Sequence, residues 1–382
     1  MDFLIEGVNF LNKGAELMLY AIQEQVQEWD SENTTSLNIK VGNFQQRNQA
    51  NVNHLLWLNS RKVPVAASTF NQLATITPKN IRERHSLALE SEIDVVLDAS
   101  GFLFSDQWGA EATEDKLKIF SRWRKQGKKI ILMPQAFGPF TSERIKQAFT
   151  KIIDCVDLIF ARDKVSFKYI NKLNSEANNV KIAPDFTNLL QGLNPSYIDS
   201  LIGRPCIIPN SRMLDKTSSA VSSNYLSSLS SIIEYLSQKD LKPFILIHEA
   251  DDYQLGKDLQ SRANEKITLI KEDNPLYLKG ILGKSSFVIS SRFHGLVSAL
   301  SQATPCIGTG WSHKYQMLFK DYNCLDLLVN FDNNINDTLG KLDLLIDEST
   351  RVKVIQNLEV ASQHQKALSK QMWHEVRQVV AV

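Results

Sequence analysis

Arg292 and His294 stand two residues apart in "SSRFHGLVSAL", Ser290 to Leu300, and put a guanidinium and an imidazole on one short segment. A guanidinium is a fixed cation suited to a carboxylate or phosphate, and an imidazole gains and loses a proton near neutral pH. Together they would hold an anion and move a proton beside it. The apolar run ending near Ser290 reads as a strand, and Leu296, Val297 and Leu300 give the following helix its inner face. Both side chains therefore fall at a strand-to-helix turn, where the N–H groups and partial positive charge of a helix N-terminus favour anions. Gly295 would let the backbone approach a ligand closely. A structural role competes with this reading, because in so short a pattern the arginine can pair with a carboxylate and the histidine can cap a neighbour.

Other polar residues follow predicted strands. Gln135 in "MPQAFGPF" is an amide able to donate and accept, with Gly138 and Pro139 forming a rigid turn behind it. In "FARDKVSF", Arg162 at a strand end is the candidate ligand-binding cation, while Asp163 is a helix cap with Ser166 one turn along. Asp98 precedes Ser100 and Gly101 in "LDASGFLFSDQWG", and Asn12, Lys13 and Gly14 lead into the first long helix. His313 and Lys314 follow a strand and could reach the same rim, whereas His248, ending "FILIHE", reads as a structural or rim residue. No GxGxxG, Walker A or GxSxG segment occurs, so hydride transfer, nucleotide hydrolysis and serine hydrolysis lose ground. The seven histidines show no HExxH or other local metal spacing, and no metal is expected.

The elements that would position these residues alternate between short β-branched runs and longer stretches of helical period, the mark of βαβ units and parallel sheet. Strands are expected at "FLIEGV", "IDVVLDAS", "KKIILMPQ" and "DLIFAR", then again at "RPCIIPN", "KPFILIHE", "SSFVISS" and "TPCIGTG". In the first helix Met18, Ile22, Val26 and Trp29 share one face, leaving Glu16, Gln23, Gln27 and Glu28 for water. Gly192, Asn194, Pro195, Gly203 and Pro205 punctuate the chain between the halves and place a boundary near residue 200. The Ser-rich stretch from Ser218 to Ser237 carries Leu226, Leu229, Ile233 and Leu236 at helical spacing and is expected to be an amphipathic helix. The expectation is an α/β protein of two doubly wound, Rossmann-like domains, 1–200 and 201–350, facing a cleft, with a helical segment over 351–382 closing the molecule.

Composition narrows the partners. Lys and Arg number 43 against 42 Asp and Glu, so no global field favours nucleic acid. Cys155, Cys206, Cys306 and Cys324 show no paired spacing and read as reduced thiols. The opening "MDFLIEGVNF" lacks a secretory signal, and no apolar run is long enough to span a bilayer; a cytoplasmic protein is expected.

These segments together resemble the polysaccharide pyruvyl transferases. The resemblance runs through "NKGAELML" (Asn12 to Leu19), "DVVLDASGFLFSD" (Asp94 to Asp106), "PQAFGPF" (Pro134 to Phe140) and "ARDKVS" (Ala161 to Ser166). It continues through "PDFTNLL" (Pro184 to Leu190), "SSRFHGLVSALSQATPCIG" (Ser290 to Gly308) and "HKYQMLF" (His313 to Phe319). It implies a glycosyltransferase B type of fold and the transfer of pyruvate from phosphoenolpyruvate onto two hydroxyls of one sugar, with phosphate released and no cofactor. Phosphoenolpyruvate would be the donor substrate, and a saccharide the acceptor. Arg162 and Arg292 would bind the donor's carboxylate and phosphate, with Arg212 of "PNSRML" adding a cation from the second domain. His294 would protonate the donor's methylene carbon or the departing phosphate. Asp98, with Asp185 behind it, would take the hydroxyl protons. Gln135, Gly295, Asn12 and Lys314 complete the expected binding rim. Two other readings stand beside it: a glycosyltransferase of the same architecture using a nucleotide sugar, and a catalytically silent sugar-binding relative. A lipid-linked acceptor would bring the protein to the inner face of the membrane.

Overall fold

The computed structural model describes residues 1–58, 64–331 and 335–381. The chain forms two compact units, one of residues 1–10, 18–185 and 370–382 and the other of 11–17 and 186–369. The first unit is built on an eight-stranded parallel sheet: β1 (Asp2–Glu6), β2 (Thr34–Asn38), β3 (Asn53–Leu55), β4 (Leu87–Ala88), β5 (Val95–Asp98), β6 (Lys129–Gln135), β7 (Leu158–Ala161) and β8 (Val180–Ile182). Its order is β4-β3-β2-β1-β5-β6-β7-β8. Leu4, Val96 and Ile131 on its central strands are wholly buried, as unbroken apolar runs covered on both faces must be. The second unit carries β9 (Cys206–Ile208), β10 (Phe244–Ile247), β11 (Thr268–Lys271), β12 (Val288–Ser290) and β13 (Cys306–Gly308), parallel and in the order β11-β10-β9-β12-β13.

The eight expected strands are all present, and the sheets gain β2, β3, β4, β8 and β11 besides. These five are short or polar, as in the "TTSLN" of β2, and give no apolar run to read. The Ser-rich stretch is the helix Ser219–Gln238, with Leu229, Ile233 and Leu236 buried. In the first helix, Lys13–Trp29, Met18, Ile22 and Val26 are buried as expected, but so are Glu16 and Gln23. Gln23 donates to Thr35 Oγ1 and to the Ala50 carbonyl, bonds that replace those it would make in water.

The chain divides between Asp185 and Phe186, not near residue 200. The Gly/Pro-rich stretch belongs to the second unit because it is packed there. Leu193 N–H donates to the Leu276 carbonyl, and a Cβ on Gly192 would lie 2.5 Å from the Gly280 nitrogen. The C-terminal stretch is one helix, Glu348–Val380, whose residues through Ser369 belong to the second unit and the rest to the first. Among the described residues no helix is long and apolar enough to cross a membrane.

In each sheet the strand order reverses once, between β1 and β5 and between β9 and β12. Crevices beyond the carboxyl ends of strands at such reversals are where open α/β sheets take ligands. Asp98 ends β5, and Arg292 follows β12.

Candidate active site

In the first unit, parallel register sets Glu6 of β1 beside Asp98 of β5. Two carboxylates side by side need a cation, and the helix Gly109–Lys125 supplies it. Lys116 Nζ donates to Asp98 Oδ2 at 2.5 Å and to Glu6 Oε2 at 3.0 Å. Asp98 is fully buried and also accepts from the Ser100 N–H at 3.1 Å. Burial alone would raise its pKa, but the Lys116 ammonium and the bonds from Ser100 outweigh it and hold the carboxyl below the usual range. Asp98 is thus a pinned anion, ill suited to taking protons at neutral pH. Gln135 is fully buried and donates through Nε2 to the Asp98 carbonyl at 3.3 Å, while its Oε1 has no hydrogen-bond partner among the described residues.

Arg162, at the end of β7, donates through Nη1 to Asp185 Oδ2 at 3.0 Å, and both side chains are buried. The expected donor cation and the reserve base are therefore each other's partners. Asp163 caps the helix Lys164–Asn171 by accepting from Ser166 N at 2.7 Å. Ser166 Oγ in turn accepts from the Phe137 N–H, which ties "ARDKVS" to "PQAFGPF".

The second unit holds the Arg-x-His turn. Its backbone is braced from three elements: Asn210 Nδ2 and Tyr315 Oη both donate to the Ser291 carbonyl, and Tyr225 Oη shares a 2.5 Å hydrogen bond with Ser291 Oγ. Arg292 is buried. Its Nε donates to Asp252 Oδ2 at 2.7 Å, Nη2 bonds Asp252 Oδ1, and Nη1 pairs with Glu249. Every nitrogen of the guanidinium thus touches a carboxylate, which fits a buttress of the turn better than a cation held open for substrate. Glu249 is the less buried of the two carboxylates. Burial, with Asp252 and Asp251 nearby, pushes its carboxyl above the usual range against the pull of Arg292.

His294 is the second residue of the helix Phe293–Leu300 and, from Phe287 to Ser301, the one half-buried position among buried ones. It meets the loop of residues 12–14. Backbone pairing joins Asn12 to Glu249, and a Cβ on Gly14 would lie 2.2 Å from His294 Nδ1. Asn12 Oδ1 accepts from the Gly14 and Ala15 N–H groups, so Asn12 caps the first helix, where a substrate contact was expected. Lys13 bonds Glu16 at 2.8 Å. His248, at the end of β10, is buried, and burial together with Arg292, His294 and Lys13 pushes its pKa down to about 3. Its imidazole is neutral, and Nδ1 has no hydrogen-bond partner among the described residues.

Three further expectations change. Arg212 is exposed and bonds Asp215 at 3.0 Å on its own short helix, so the loop meets the Arg-x-His turn through Asn210 instead. A Cβ on Gly295 would lie 3.1 Å from Ile208 Cδ1 and 3.3 Å from Ser290 Oγ, so this glycine serves close packing of helix on strand. Lys314 lies over the rings of Phe293, Trp311 and Tyr315 at 5.3 to 5.5 Å. Glu249 and Asp252 emerge as site residues beside Lys13 and His248; the signal for both was the carboxyl end of β10, where "HEADD" follows the strand.

Solved structures share this architecture at low identity. A putative UDP-N-acetylglucosamine 2-epimerase from Listeria monocytogenes superposes with a TM-score of 0.59 at 12% identity, covering 98% of this chain and 96% of that one. Anabaena HepE in complex with UDP-glucose gives 0.60 at 11%, covering 99% of each chain. S. aureus MnaA with UDP gives 0.60 at 10%, covering 100% and 96%. At such identity they establish the fold, two Rossmann-like units of glycosyltransferase B type. No curated protein sequence matches. The sequence profile of the polysaccharide pyruvyl transferases matches residues 12–313, from the Asn12 cap through the Arg-x-His turn to His313, and the chain belongs to that family.

Proposed function

We propose that the protein transfers pyruvate from phosphoenolpyruvate to two hydroxyls of one saccharide residue, forming a cyclic ketal and releasing phosphate. The observation that carries this reading is the family match over residues 12–313, which runs from Asn12 through Glu249 and the Arg-x-His turn. The donor's methylene carbon takes up one proton and becomes a methyl group. One hydroxyl oxygen bonds the adjacent carbon, the C–O bond to phosphate breaks, and the second hydroxyl oxygen replaces it. Of the two hydroxyl protons released, one balances that gained by carbon and one leaves with phosphate. His294, half-buried at a helix start, is the acid that meets the donor. Glu249, whose carboxyl is raised by burial although it too pairs with Arg292, takes the base role first given to Asp98, whose carboxyl Lys116 holds low, or to Asp185, which pairs with Arg162. Arg292 acts by holding Glu249 and the turn in place.

The test is ligand-induced thermal stabilisation followed by turnover. Phosphoenolpyruvate should raise the melting temperature where UDP-glucose and UDP-N-acetylglucosamine do not. Incubation with phosphoenolpyruvate and a glycan pool should then release phosphate and yield a ketal methyl resonance. Stabilisation by nucleotide sugars alone would assign the protein to sugar transfer, and donor binding without phosphate release from any glycan would leave it a binding protein.

A further inference from the structure

A surface helix of a globular protein hides its large aliphatic residues and leaves small or polar ones in water. The helix Pro64–Thr75 does the reverse. Ala67 and Ala74 are buried, whereas Val65 is 78% exposed, Leu73 58%, and Ile76, directly after the helix, 74%. At about 100° per residue, Val65, Leu73 and Ile76 share an arc of about 80° on the side opposite the two alanines. Thr69 falls within the same arc and adds no charge. Ile81, on the following helix Lys79–Arg84, is a fourth exposed aliphatic.

Charge shows what suits this surface. From Asn33 to Arg82 the sequence holds Lys40, Arg47, Arg61, Lys62, Lys79 and Arg82 and no Asp or Glu, in a chain balanced overall at 43 basic to 42 acidic residues. Arg47 and Arg82 are buried and committed to the protein, Arg47 to His54 and backbone carbonyls and Arg82 to Glu92. Lys40, Lys79 and Arg84 are exposed, as is Glu83, which lies 3.6 Å from Lys79, so the exposed groups keep a net positive charge. Self-association through this face would set like charges together. Aliphatic side chains flanked by Lys and Arg instead match the boundary between acyl chains and anionic headgroups.

We propose that residues Val65 to Arg84 dock the protein on an anionic lipid surface, with Val65, Leu73, Ile76 and Ile81 entering the acyl boundary and Lys79 and Arg84 meeting headgroup phosphates. The inference does not rest on the proposed pyruvyl transfer. The full-length chain is sedimented with vesicles of phosphatidylcholine alone and of phosphatidylcholine mixed with phosphatidylglycerol. Binding should need the anionic lipid and weaken with salt. Leu73→Glu with Ile76→Glu should lower vesicle partition about tenfold or more. Lys79→Glu with Arg84→Glu should lower it as well, while Val360→Glu, at a 70% exposed position on the C-terminal helix, should leave it unchanged. All of these positions are exposed, and unchanged circular dichroism confirms that the variants are folded. Failure to bind anionic vesicles, equal binding to both lipid mixtures, or undiminished binding by the Leu73/Ile76 variant would overturn the proposal. So would a lipid-free dimer, seen by light scattering, that the same pair of substitutions dissolves.

Discussion

Replacing Gly14 by alanine tests whether the contact between the first helix and His294 governs the chemical step. A Cβ at this position would lie 2.2 Å from His294 Nδ1 and 2.5 Å from Cγ. Ordinary contact begins at 3.4 Å, so the imidazole or the helix turn must move by about 1.2 Å. Alanine is favoured over glycine within a helix by about 1 kcal/mol, so the substitution should not unfold the protein by a backbone effect. A misplacement of about 1 Å at a reacting group costs on the order of 10²-fold in rate. Gly14→Ala should therefore lower kcat about 100-fold while changing KM for phosphoenolpyruvate far less, measured by phosphate release in the presence of an active glycan acceptor. The loss should act through the histidine: in a double-mutant cycle, Gly14→Ala should cost little more once His294→Asn is present. Wild-type turnover in Gly14→Ala, or losses that multiply in the double variant, would refute the link.

Arg292→Ala should destabilise the protein by about 3–5 kcal/mol, read as a lower urea midpoint, because it leaves Asp252 and Glu249 facing each other with no cation. A loss under about 1 kcal/mol would show that the guanidinium is not a buttress. His248 has its pKa lowered from 6.5 to about 3, so between those values the unfolded chain binds a proton that the folded chain refuses. Stability should fall with falling pH across that window by up to about 1.4 kcal/mol per unit from this group, and His248→Asn should flatten the limb; an unchanged slope would contradict the assignment. Asp98, with its pKa lowered from 3.8, contributes stability that is present above 3.8 and lost as pH falls below it. In Lys116→Met the carboxyl loses its partner and its pKa should swing upward, so that acidification from neutral pH costs the variant less stability than the wild type, and a urea midpoint that drops as steeply as the wild type's would refute the clamp.

The architecture was legible because buried parallel strands advertise themselves. "IDVVLD" and "KKIILMPQ" are apolar on both faces, and the strands they announce are present with Asp98 and Gln135 at their ends. The edge strands were not legible for the converse reason. The two residues of β4 and the exposed or half-buried "TLIK" of β11 carry no pattern that a loop would lack. The unit boundary was misplaced because glycine and proline mark turns whether or not the turn is packed, and Gly192 is packed against Gly280.

Residue types at the site were legible, but their pairings were not. Strand ends collect polar side chains wherever a ligand or a buried ion pair is to be built, and sequence position alone does not separate the two uses. Arg292 finds Asp252 forty positions away and Arg162 finds Asp185 twenty-three away, distances at which only the packing of β10 beside β9 or β7 beside β8 decides who meets whom. Once paired, a buried cation can no longer be removed without stranding its carboxylates, so loss of function in an arginine variant reports stability as readily as binding. His294 escapes that ambiguity. It lies at a helix start against a glycine that leaves no room for a side chain, and under the proposed function small movements there would change where it delivers a proton without uncovering a buried charge.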